Sequence, residues 1–298
     1  MPDPAVLLEA GAKAFLYASV LIVVGASALR WLLLPRASAE LGTHRVCSIE
    51  QGSAQLALAA SVCALGSCAL RVWTHTVSAF GFADASLHNM KLIALQSRWG
   101  AAWRVQMAAA LALTVASAIT RRWREAWPFA TLAALFFIGT IPLLGHAAGN
   151  TFREGLHGVH ILAASMWLGT LAMALAVRTT GPDSSAPKSG REVRLVILRN
   201  FWLIALPSSA TAVAAGLVAA YLYVGAFSNL WTTAYGRILL FKVAIVGAVG
   251  GCGFVNWRRL QRMIPYDTGS LTIVVFETAL ALAVVLATAL LTETGHPG

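Results

Sequence analysis

The sequence predicts an all-α polytopic membrane protein: a bundle of eight transmembrane helices forming a single integral membrane domain over residues 1–298. Three observations predict it. Hydrophobic residues make up 58% of the chain and charged residues only 11%, with a mean hydropathy of +0.72, whereas soluble domains carry about 25% charged residues. The apolar residues fall into runs of about 20, the length that crosses the hydrocarbon core as a helix. Lys+Arg outnumber Asp+Glu 22 to 12, and the excess sits between the runs, where it sets topology rather than binding nucleic acid. Disordered chains are poor in apolar residues, so disorder is excluded as well.

The spans read roughly as 6–34, 52–79, 101–120, 127–149, 156–178, 200–224, 235–257 and 270–292. Helices are required, because an open sheet edge leaves its backbone unsatisfied in lipid. The first span is too long for a cleavable leader and carries Glu9 and Lys13 at i, i+4, which are expected to pair with each other. The second holds Cys63, Cys68 and, one turn before His75, Arg71, expected to reach the headgroups or Asp84. The third is the shortest and ends at Arg121-Arg122-Trp123-Arg124. The fourth and sixth are the clearest, with no Asp, Glu, Lys or Arg from Glu125 to Arg153 or from Arg199 to Arg237. The seventh contains Lys242 and a GxxxG pair, Gly247 and Gly251, which reads as a helix-packing signal. The eighth contains Glu277, for which Lys242 is the candidate partner. Thr179–Gly190 reads as a flexible linker dividing five spans from three. The four cysteines form no CxxC pair and no disulfide framework.

Twelve Lys and Arg lie in the odd-numbered loops and four in the even-numbered ones. The positive-inside rule then places both termini on the outer side. Six of the seven histidines share that side: His75, His88, His146, His157, His160 and His296, with only His44 inside. An imidazole at membrane depth is costly unless it has a partner or a wet cavity, and it is a common ligand for copper, zinc and iron. His157 and His160 stand at i, i+3 on one helix face with Trp167, and the short turn after His146 brings that residue back toward them. His146, His160 and His157 are therefore the leading candidate ligands, with His75 and His88 as further ones. Met90 and Met166 are candidate thioether ligands for Cu(I). No nucleophile–base constellation or phosphate loop appears, so no enzyme is expected.

From Gly145-His146-Ala147 through His160-Ile-Leu-Ala-Ala-Ser-Met-Trp167-Leu-Gly169 to Tyr235-Gly236-Arg237-Ile-Leu-Leu-Phe-Lys242, then Asn256 and Glu277, the sequence resembles the bacterial copper-resistance protein D family (CopD). The resemblance covers 145–292; residues 1–144, the first four spans, match it in helix count and hydropathy. It implies a multi-pass protein of the bacterial inner (plasma) membrane with periplasmic termini, acting in copper import or homeostasis. Carried across, His146 and His160 would bind a copper ion, Cu(I) or Cu(II), supported by His157 and Trp167. Tyr235, Arg237, Lys242 and Glu277 would be structural or gating residues. The outer segments are thin in methionine and histidine clusters, so a periplasmic copper-binding protein is the expected partner beside the lipid bilayer. Two alternatives stay open: a haem-b electron carrier with axial histidines, and a membrane scaffold that binds a periplasmic copper protein without ligating metal.

Overall fold

The computed structural model describes residues 4–145, 147–176, 190–261, 268–295 and 297, with side chains omitted at 191, 260, 261, 268–275, 277 and 278. Nine longer helices, besides one helical turn at Asn229–Thr232, carry the described chain: α1 (Pro4–Leu41), α2 (Thr43–Phe80), a short α3 (Leu87–Gln96), α4 (Arg98–Thr120), α5 (Arg124–Leu144), α6 (Thr151–Ala176), α7 (Gly190–Val224), α8 (Ala234–Gln261) and α9 (Thr268–Leu291). There is no strand among the described residues. Seven of the helices, α1, α2 and α4 to α8, are long and apolar enough to cross a bilayer. In α9 the segment Ala279–Leu291 is a shorter apolar stretch. The expected linker lies almost wholly outside the described residues.

The sequence explains where these helices stop. Gly42 and Gly81, at φ 77° and 83°, end α1 and α2 in a left-handed conformation that suits glycine. Ser86, Ser97 and Asn150 cap α3, α4 and α6 by accepting hydrogen bonds from the backbone N–H of Asn89, Gly100 and Arg153. Pro128 falls in the first turn of the α-helical part of α5, where its missing N–H costs nothing.

Helix α1 is the axis of the bundle. Its most apolar stretch is 72% buried by other parts of the chain, against 17% for α8. It packs on α2, α5, α6 and α9. Along one stretch Ala26, Leu29, Leu33 and Leu34 meet Trp127, Leu171, Met173 and Ile197. Along another Leu16, Val20 and Val23 meet Cys68, Ala110, Leu113 and Phe137. The approach of α1 to α6 is a backbone contact: a Cβ on Gly25 would collide with the main chain of Gly169 and Thr170, and one on Gly169 with the carbonyl of Leu21. Small residues permit such an approach between membrane helices.

The GxxxG pair of α8 does not do this. Gly247 and Gly251 are exposed, and a Cβ on either would meet nothing within 4 Å. Spacing marks a smooth helix face; it does not specify which neighbour, if any, covers it.

Two helices carry a π segment, Leu29–Leu33 in α1 and Ser165–Gly169 in α6. The second begins five residues after His160 and includes Met166, Trp167 and Gly169, so the widened turn coincides with the close contact to α1. Single π turns inside α-helices recur at functional places.

Candidate functional site

The first site is built on α6. Asn150 starts the helix, and the Glu154 carboxylate accepts from the Gly149 N–H at 2.8 Å, fixing the turn that leads in. One turn further, His157 and His160 are both half-buried. His160 Nδ1 lies 2.8 Å from the carbonyl oxygen of Ala212 on α7. A carbonyl only accepts, so Nδ1 carries the proton and Nε2 keeps the free lone pair. A hydrogen bond on one ring nitrogen that orients the other is the arrangement found behind metal-ligating histidines. Gly216, one turn along α7, makes room for the ring: a Cβ there would come within 3.2 Å of His160 Cε1.

Helix α8 packs against α7. Lys242 stands near enough to His160 for their charges to interact, and so does His157. Tyr235 is buried at the start of α8 with Val224 and Leu239 and interacts with Tyr223 of α7, over whose ring the Arg153 guanidinium sits at 5.3 Å. His157 and His160 thus share a face of α6 with Lys242 of α8 within charge-interaction range of His160, while Tyr235 sits two turns away on α8 beside Tyr223. The charged side chains near the two histidines include Lys242, whose charge reaches His160, and Arg153 and Glu154 one turn before His157 on α6.

Other expected residues lie elsewhere. Trp167 is buried in an apolar cluster with Leu168, Ile245, Val249 and Val284. Met166 packs against both core clusters of α1, so its thioether serves as apolar filler. Arg237 lines an apolar groove between α8 and α9 with Phe241 and Leu290. His88 is exposed and Met90 half-buried on the short α3. His146, His296 and the side chain of Glu277 lie outside the described residues, and with Glu277 the expected Lys242 pairing. Among the described residues no three or more His, Cys, Asp or Glu are close enough together to hold a metal ion.

A second polar constellation joins α1, α2, α4 and the end of α9, and it corrects two expectations. Lys13 pairs with Glu293 rather than with Glu9. Glu9 instead faces His75, with Oε1 3.4 Å from Nδ1. Arg71 does not reach headgroups or Asp84; it is only 2% exposed, donates to Gln106 Oε1 at 2.8 Å and lies over the Trp99 ring. The reason is the same in both cases: a buried charge takes the partner that tertiary packing supplies, and in lipid that partner comes from another helix. His75 is also stacked on Trp99, with centroids 4.1 Å apart and planes 10° from parallel.

A third cluster was not foreseen. Glu50 at the start of α2, 1% exposed, is held by Arg30 of α1 at 2.5 Å and by Arg124 of α5, whose guanidinium also donates to Cys47 Sγ. The sequence signal was Arg30, a cation inside the first apolar run that needs a carboxylate from elsewhere.

Residues 1–159 match the family described as copper resistance protein D-like, N-terminal domain, and residues 195–291 match copper resistance protein D. The first of these carries the likeness into the four spans that had matched only in count and hydropathy. The copper transport protein CutJ of Bacillus subtilis (strain 168) is 26% identical over 212 residues, which are 66% of this chain and 37% of that protein. The chain therefore spans little more than a third of that relative. No solved structure matches.

Proposed function

The chain belongs to the copper resistance protein D family, and from that premise we propose that it binds copper through histidines where α6, α7 and α8 meet and carries it inward. It is a multi-pass helical membrane protein of a copper resistance and transport family. The finer reading is ours: eight spans in one membrane domain, an inner membrane, both termini in the periplasm, and delivery by a periplasmic copper-binding protein.

One observation supports it most. The hydrogen bond from His160 Nδ1 to Ala212 leaves Nε2 as the only nitrogen able to take an ion, and His157 lies on the same face one turn earlier. His146, which precedes α6 by a short turn, is proposed as the further ligand. Imidazole suits copper in both oxidation states. Lys242 and Arg153, the positive charges beside the site, keep binding moderate, and a carrier must release its ion as well as take it.

The test is copper content. Purified wild-type protein loaded with Cu(I) or Cu(II) should retain the ion through dialysis, and His160→Ala should lose most of it while keeping its helical content. A Soret band in the purified protein would instead support haem.

A further inference from the structure

We propose a second metal station, made by Glu9 of α1 and His75 of α2, that takes a divalent copper or zinc ion. The cargo rests on the copper reading above; the geometry does not.

His75 Nδ1 and Glu9 Oε1 stand 3.4 Å apart, and Nδ1 is buried without a hydrogen-bond partner. Bonds of 2.0–2.1 Å at a tetrahedral angle place two ligand atoms about 3.3–3.4 Å from each other. The pair therefore already has the spacing of two ligands on one ion. It is at the far limit for a hydrogen bond, which would draw the atoms to about 2.9 Å.

The surroundings hold that geometry open. Stacking on Trp99 fixes the imidazole plane, and Trp103 anchors the same helix by donating to the Cys68 carbonyl at 2.7 Å. Lys13 is paired with Glu293 and Arg71 with Gln106, and the close partner of Glu9 is His75. The Glu9 side chain is 8% exposed and that of His75 31%. The exposed part of the pair is therefore the His75 ring, with Nδ1 and the carboxylate buried behind it.

The donor set selects the ion. One imidazole nitrogen and one carboxylate oxygen suit borderline divalent ions, whereas Cu(I) favours thiolate and thioether. Lys13 and Arg71 face the same carboxylate region and hold the affinity down. With two protein ligands, water completes the coordination, and the ion stays exchangeable.

The test uses the full chain in detergent with Zn(II) and Cu(II) as probes. In the unsubstituted protein, Zn(II) should protect His75 from diethyl pyrocarbonate at least tenfold and leave exposed His88 reactive. Separately, in a His160→Ala background, Cu(II) should give an electron paramagnetic signal with a single coordinated imidazole. Adding Glu9→Asp, which keeps the charge but withdraws the oxygen, should weaken that binding at least tenfold. Modification of His75 at the same rate with and without Zn(II) overturns the proposal, as does unaltered Cu(II) affinity in folded Glu9→Asp. If His160→Ala keeps all its Cu(I) while His75 is still protected, the α6 reading fails and this station stands.

Discussion

His160 and His75 are both half-buried imidazoles positioned by a neighbouring helix, yet their company is opposite. His160 donates to a backbone carbonyl and has Lys242 nearby; His75 is stacked on an indole and faces a carboxylate. The first keeps one lone pair free among neutral donors. The second has its Nδ1 beside a negative oxygen, where an arriving ion takes the place of a proton. Residue type alone therefore does not say what a membrane histidine does. If both places take a metal, the charge of the nearest neighbour sets how strongly each attracts a cation.

The largest expected effect concerns the charges that frame His75. Lys13→Met strips Glu293 of its ammonium in a place where the two side chains are 7% and 12% exposed. Breaking a buried pair by removing one partner costs about 3–5 kcal/mol, readable as denaturant unfolding in detergent. His160→Gln breaks no ion pair and should cost under about 2 kcal/mol, near the range for a lost hydrogen bond. Equal losses from the two substitutions would erase the distinction between a charge-built region and a ligand-built one.

Gly216→Ala sharpens the other side of the comparison. The new methyl presses on His160 Cε1 and turns the ring from Ala212. Losing the orienting partner of a ligand typically lowers metal affinity about 10–100-fold. Alanine is the better helix former by about 1 kcal/mol, so the fold should not suffer. Copper retention should therefore fall while the unfolding midpoint holds or rises.

Protons compete for imidazole ligands, so copper held through histidine should be retained less as pH drops from about 7 to about 5. Retention measured by dialysis and metal analysis that stays flat over that interval would point to sulfur ligands, with Met90 and the cysteines next in line.

The smallest effect is on stability against pH. Burial pushes the Glu293 carboxyl above its usual value of 4.5, against the pull of Lys13. The folded chain then holds a proton there that the unfolded chain has released. This group favours the folded state in acid, and the advantage is lost as pH rises through the elevated value. Glu293→Gln should flatten that part of the stability curve from pH 4.5 upward, whatever it does to the absolute level.

The helical character and seven of the apolar spans were legible because a membrane helix needs one continuous apolar run, and that is a local property of sequence. Helix partners were not. Glu9 and Lys13 share a helix face, so local spacing pairs them, but Glu293 arrives from the far end of the chain and takes Lys13. The visible GxxxG of α8 meets no described atom within 4 Å, while the backbone contact between α1 and α6 rests on Gly25 and Gly169, which no short motif connects. His157 and His160 were readable as a face of one helix. Their setting was less so: the Ala212 carbonyl carries no side-chain signature, and the arrival of Lys242 depends on how α8 lies across α6 and α7.

Copper analysis of the purified protein tests most directly whether His160 offers Nε2 to copper. Wild type should retain copper through dialysis, and His160→Ala and His146→Ala should each lose most of it. The double variant should be no lower than either, because ligands of one ion act as a unit and their losses do not add. Folded His160→Ala protein with wild-type copper content would contradict the account.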